Sequence, residues 1–268
     1  MNQKTPASSE PSDYRAYGAE RQPQPGEPGR QPPVVVRSAG GAPRVTYTLL
    51  GVTLFVFFLQ MASNFLTGVD YPAELGVKDN GLIVQGELWR LLTPMFLHST
   101  RTILHVAFNM YALYIFGPGL ERHFGSARFL ALYLLSGFSG NVISFLFTAA
   151  PSLGSSTAIF GLLGAQGAFL YQNRELFGQN ARRALVNIIT IAGVNLFIGL
   201  SPGIDNWGHI GGLVGGSLFS WFGGPLLHLD GVYPLVTLTD GRESGDVIRV
   251  GLAVGLLFAA LAALKIFL

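Results

Sequence analysis

Cysteine is absent from this sequence, which excludes a disulfide framework, a thiol nucleophile and any thiolate metal site. Charge is scarce as well. Asp, Glu, Lys and Arg make up 12% of the 268 residues and hydrophobic residues 49%; the charged share is about half that of an ordinary soluble domain, so water is not the main solvent of this chain. The formal charge is only +2, and no basic cluster points to nucleic acid. The HExxH signature of a zinc intramembrane protease is missing, and so are the two Asp within apolar spans that an aspartyl protease of the membrane requires. Paired broken helices with coupling acids near the midplane, expected of a transporter, are not found either.

What is present is a series of long charge-free windows. The first lies between Arg44 and Asp70; others run from Thr102 to Leu120, Phe129 to Tyr171, Ala184 to Ile204, Asn206 to Leu229 and Gly251 to Leu264. A span needs about 20 residues. The window from Phe129 to Tyr171 is too long for one helix, and "APSLGSS" divides it by its Pro, Gly and Ser, which gives seven spans. The expected fold is therefore an all-α polytopic membrane protein. It has a six-span core over residues 45–224, a cytoplasmic linker over 225–249 and a seventh transmembrane helix over 250–268.

More than half of the 15 prolines fall in residues 1–44, which read as a disordered cytoplasmic tail. Its acidic residues and lack of an apolar run argue against a cleaved signal. Arg30, Arg37 and Arg44 precede span one, Arg122 and Arg128 follow span two, and Arg174, Arg182 and Arg183 follow span four. By the positive-inside rule these segments face the cytoplasm. Lys78, Arg90 and Arg101 run against that pattern, in a long first external loop. Its end, "ELWRLLTPMFLHST", has the amphipathic aromatic character of an interfacial segment.

This topology brings the N-terminal ends of spans two, four and six to a similar depth near the outer surface. Those ends carry unusual polar residues: His105 and Asn109 one turn apart on span two, Ser155 and Ser156 at the start of span four, and His209 at the start of span six. His105 and Asn109 also suit interhelical hydrogen bonding, and either serine suits a helix cap. An ionisable residue within a span, as His209 is, is costly and reads first as functional. Glycines at 208, 211, 212, 215 and 216 on span six and Gly161, Gly164, Ala165 and Gly167 on span four offer small-residue seams, which would allow close approach of the two spans. A Ser beside a neutral His is the minimal activated nucleophile. His105, Asn109 and the backbone N–H groups opening span four would stabilise the oxyanion. The only acid nearby is Asp205, at the edge of span six, so the design reads as a dyad and not a triad.

The stretches "HVAFNMYALYIFGPGLE", "GSSTAIFGLLGA" and "NWGHIGGLVGG", in this order, resemble the signatures of the rhomboid family of intramembrane serine proteases. "ELWRLLTPMFLH" resembles the first-loop element of that family. The resemblance implies that Ser156, two residues after Gly154, is the nucleophile and His209 the base. It implies that His105 and Asn109 line the oxyanion site, with Phe160 where an aromatic residue stacks on the base. Trp89 and Arg90 would organise the first loop, Glu121 would anchor a hydrogen-bond network, and Gly212 and Gly216 would be packing glycines. Thr157 stands where the family commonly has Gly, and Phe160 where it often has Tyr. Ser155 is left as a polar residue at the helix end. The implied activity is hydrolysis of peptide bonds in or near transmembrane segments of other proteins, without metal, nucleotide or other cofactor. The expected setting is a bacterial plasma membrane, with the N-terminus cytoplasmic by the distribution of Lys and Arg and the active site toward the outer face. The alternative is a catalytically silent relative that binds transmembrane clients. The client, the oligomeric state and the role of the seventh helix stay open.

Overall fold

The computed structural model describes residues 41–232 and 235–268; the expected tail over 1–44 lies almost wholly outside them. A long helix α1 (Arg44–Thr67) is followed by a loop containing two short helices, α2 (Tyr71–Gly76) and α3 (Asn80–Val84), and two 3₁₀ turns over Leu88–Leu91 and Thr93–Phe96. Helices α4 (Ile103–Phe124), α5 (Ser126–Phe147), α6 (Ser156–Gln172), α7 (Arg174–Ile198) and α8 (Asn206–Gly223) complete the core. A β-hairpin of β1 (Leu227–Val232) and β2 (Leu235–Asp240) then leads to α9 (Ser244–Phe267).

Five of these helices, α1, α4, α5, α7 and α9, are long and apolar enough to cross a bilayer. Outward-facing side chains such as Phe55, Phe58 and Phe65 of α1 or Leu252 and Leu256 of α9 are exposed, as lipid-facing residues are. The chain is a multi-pass integral membrane protein. Helices α6 and α8 are shorter, with 17 and 18 residues, and they sit centrally. Most of α6 is covered by the helices around it, while α8 keeps an outward face with Val214 and Phe222 exposed.

Glycine sets the spacing of this centre. A methyl group on Gly212 would overlap the carbonyl oxygen of Thr157, and one on Gly216 the carbonyl oxygen of Gly161. From α6, a Cβ on Gly164 would strike the carbonyl of Leu213 on α8. Helix α5 closes in by the same means, since Gly211 and Gly215 lie against Ile143 and Ser139. Backbone-to-backbone packing of this kind is the small-residue association of membrane helices, and any side chain would hold the three helices apart. Helix α7 packs chiefly on α6 and is broken near its start at Gly178, whose φ of 52° ends one helical run before the next begins.

Two polar clasps hold α1. At its N-terminus the buried carboxylate of Glu121, on α4, accepts from the N–H groups of Val45 (2.9 Å) and Thr46 (2.7 Å), the Thr46 hydroxyl (2.7 Å) and the Ser126 hydroxyl (2.6 Å). A carboxylate here satisfies donors that the first helical turn leaves unpaired and complements the positive end of the helix dipole. Farther along, buried Gln60 donates to the His98 carbonyl and accepts from the His98 N–H, both at 2.9 Å.

The segment expected as a linker, 225–249, contains the hairpin and the start of α9, which begins at Ser244, ahead of Val250. Asp240 of the hairpin pairs with Arg128 of α5 at 2.7 Å. Asn173 accepts from the Leu227 N–H at 2.7 Å and donates to the Pro225 carbonyl at 3.0 Å. The hairpin therefore sits on the face opposite the N-terminal ends of α4, α6 and α8.

Candidate active site

The N-terminal ends of α4, α6 and α8 border a cavity of about 1170 Å³. Ser156 is the first residue of α6 and His209 lies in the first turn of α8. Because the glycine seam draws the two helices together, Ser156 Oγ lies 2.9 Å from His209 Nε2. The Phe160 ring stacks on the His209 imidazole at 4.3 Å with an interplanar angle of 10°. That contact fixes the ring plane, so the imidazole edge points at the hydroxyl.

Asp205 does not reach the imidazole. It caps α8 by accepting from the Gly208 N–H at 3.0 Å, and it also accepts from the hydroxyls of Thr148 (3.0 Å) and Ser144. Burial pushes the Asp205 carboxyl up. Hydrogen bonds from Ser144, Gly208, Ser152 and Thr148 outweigh this and hold it below the usual carboxylate range. It is thus a charged helix cap. Nδ1 of His209 has no partner among the described residues.

His105 faces the same space. The Ser99 N–H donates to its Nδ1 at 3.4 Å, which leaves the proton on Nε2. Nε2 in turn is aimed at Gly154, where an added Cβ would lie 2.8 Å from it. Gly154 has φ 137°, so a side chain there is excluded by backbone conformation and by His105 together. Its N–H donates to the Pro94 carbonyl at 2.9 Å, which ties the residues before Ser156 to the first loop. Asn109 lines the cavity and spends one amide hydrogen on the His105 carbonyl at 2.9 Å, leaving the other available.

Trp89, Arg90 and Glu121 lie away from the cavity. The Trp89 indole donates to the Leu75 carbonyl at 3.0 Å. Arg90, buried, donates to the carbonyls of Val77 (2.9 Å) and Glu74 (2.7 Å) and pairs with Glu87 at 2.6 Å. With Thr93, which donates to the Gly76 carbonyl at 2.7 Å, they satisfy the acceptors at the C-terminal end of α2. Thr157 turns its side chain against Gly140, so α5 supplies the room it needs.

His98 was not singled out from the sequence. It is fully buried and its Nε2 lies 3.2 Å from Ser155 Oγ, while its ring meets that of His105 edge-on at 5.1 Å. Burial, with His105 as a neighbour, pushes its pKa down to about 3. It is neutral and holds Ser155 beside the cavity. It closes the first-loop stretch "ELWRLLTPMFLH", and nothing in the letters gives its direction.

The cavity also runs along α4 past Phe108, Ala112 and Phe116 and is bounded by Ile191 and Asn195 of α7. Helices α4 and α7 hardly touch each other, so this side is lined by apolar faces without a seam.

A family model, the rhomboid domain, matches residues 85–226. The rhomboid protease GluP of Bacillus subtilis (strain 168) is 41% identical over 222 residues, which cover 82% of this chain and 41% of that protein. YdcA of the same organism is 35% identical over 184 residues, 67% of this chain and 87% of its own length. RHOMBOID-like protein 9, chloroplastic, of Arabidopsis thaliana is 39% identical over 181 residues, 67% of this chain and 41% of its own length. The chain thus spans less than half the length of GluP and of RHOMBOID-like protein 9.

Proposed function

Because this chain belongs to the rhomboid family, we propose that it is an intramembrane serine endopeptidase acting on transmembrane segments of other membrane proteins, with Ser156 as nucleophile and His209 as general base. The observation that carries this reading is the 2.9 Å contact between Ser156 Oγ and His209 Nε2, set on two helices whose glycine seam leaves little freedom.

In the reaction, His209 Nε2 takes the Ser156 proton while Oγ attacks the scissile carbonyl carbon. The carbonyl π pair moves onto oxygen. His105 Nε2–H, the free Asn109 amide hydrogen and the N–H groups opening α6 would donate to that oxyanion, and one such donor is worth about 3–4 kcal/mol. The oxyanion collapses, the C–N bond breaks, and His209 gives its proton to the leaving amine. Water then repeats the sequence: His209 removes its proton, the hydroxyl attacks the acyl ester, and Ser156 leaves as the restored hydroxyl. No step requires Asp205. The substrate segment enters between α4 and α7, and must unwind locally because helical peptide bonds are satisfied by one another. The N-terminus faces the cytoplasm and the cavity opens toward the outer face of a bacterial plasma membrane.

The test is reconstitution with a single-span substrate, comparing wild type with Ser156→Ala, His209→Ala and Ser155→Ala. The expected result is cleavage by wild type and Ser155→Ala only. Cleavage by Ser156→Ala at the wild-type rate would overturn the mechanism. A wild type that binds but never cuts would instead favour a silent client-binding protein.

A further inference from the structure

On one wall of the cavity that holds Ser156 and His209, half-buried Thr148 and Asp205 join a buried lysine in a charged cluster that the reaction does not use. Lys78, between α2 and α3, is fully buried, and its Nζ donates to the Thr148 carbonyl at 2.8 Å. The Thr148 hydroxyl donates to Asp205 Oδ1 at 3.0 Å. Asp205 caps α8 through the Gly208 N–H, and its own carbonyl accepts the His209 N–H at 3.2 Å. The main chain of Lys78 also pairs with Ser152 in both directions, at 3.0 and 3.2 Å. Ser152 begins the short segment that delivers Gly154 and Ser156.

One lysine therefore fastens two things at once: the approach to Ser156 and, through Thr148 and Asp205, the start of the helix that carries His209. A buried ammonium is a costly anchor for a loop. The charges that face it are Asp205 and, from its own loop, Asp79, which favour it, and Lys265 of α9, which opposes it. Lys265 donates to the Leu146 carbonyl at 2.9 Å, so both ammonium groups sit at the C-terminal end of α5, where the helix dipole favours positive charge.

We propose that Lys78, Thr148 and Asp205 form a positioning relay that sets the separation of Ser156 from His209, acting through His209 and never on substrate. The proposal rests on the protease reading given above. Lys78→Met removes the charge at similar length. Asp205→Asn keeps a good helix cap but removes the carboxylate, and Thr148→Val breaks only the hydroxyl link.

The experiment measures, on folded protein in bilayers, the rate at which a fluorophosphonate labels Ser156, with kcat and KM on a single-span substrate and the melting temperature of each variant. Each single variant is expected to lower the labelling rate and kcat about tenfold with KM little changed. The double variant Lys78→Met/Asp205→Asn is expected to lose no more than the worse single, as members of one network do. Should Lys78→Met fail to fold, Asp205→Asn and Thr148→Val carry the measurement. Variants that melt lower yet label at the wild-type rate, or whose losses multiply in the double variant, overturn the relay alone. A wild type that neither labels nor cuts overturns the protease reading, and the relay falls with it.

Discussion

Replacing Gly212 by alanine should silence the site without unfolding the protein. The added methyl falls inside van der Waals contact with the Thr157 carbonyl, next to Ser156 in the chain, while Gly212 itself stands three residues from His209. Both partners are helix backbone, so neither can turn aside as a side chain would. To relieve the overlap, α6 and α8 must part by roughly 1 Å, and a misplacement of that size can cost about 100-fold in rate. The Ser156–His209 separation would grow from 2.9 Å beyond hydrogen-bond range. Overpacking of this kind costs about 1–3 kcal/mol, small enough for the fold to survive. Gly167→Ala is the control: on the same α6, its methyl would meet only Ile188, at an ordinary 3.9 Å, and the gain in helix propensity is about 0.5–1 kcal/mol. Fluorophosphonate labelling and substrate cleavage should drop about 100-fold in Gly212→Ala and hold in Gly167→Ala. Wild-type activity in a folded Gly212→Ala protein would refute the argument that helix separation sets the dyad.

Glu121→Ala should lower stability by roughly 3–5 kcal/mol, because two backbone N–H groups and two hydroxyls lose a buried ionised acceptor; Glu121→Gln should fall between, and an unchanged melting temperature would contradict the clasp. Burial lowers the Lys78 ammonium from 10.5 to about 8, against the pull of Asp205 and Asp79 and with the help of Lys265. Between those values the unfolded chain binds this proton more tightly, so the contribution of Lys78 to stability rises with pH there, while the charge facing Asp205 is lost. Activity should therefore decline above about pH 8 without a parallel fall in melting temperature, and Lys78→Met should lack that decline. Activity and melting temperature falling together would count against this assignment.

Much of the architecture could be read from where charge stops. The break at "APSLGSS" separates α5 from α6, and the family resemblance drawn from three stretches agrees with the rhomboid match over residues 85–226. Lys78 and Arg90 run against the inferred orientation in the sequence; both are buried and bonded to carbonyl oxygens, where they serve helix ends. The hairpin after α8 was missed because "GGPLLHLDG" continues the apolar run of that helix; its folding depends on Asn173 and Arg128, distant in sequence. For the same reason His98 could not be placed from the letters, and Asp205, placed at the edge of span six, could not be given its partners: Ser155 and the end of α5 come from other elements.

The clasps on α1 bear on the order of assembly. This helix is made first among the described spans, yet the carboxylate that satisfies its opening N–H groups comes from Glu121, 76 residues beyond Val45, and Gln60 waits 38 residues for His98. During synthesis α1 must enter the bilayer with one end uncapped and a polar amide unmatched. Insertion and docking are thus separated in time, as in two-stage assembly of membrane helices. The arrival of α4 closes one clasp and that of the loop before it the other, so α1 is satisfied at both only once residue 121 has been made.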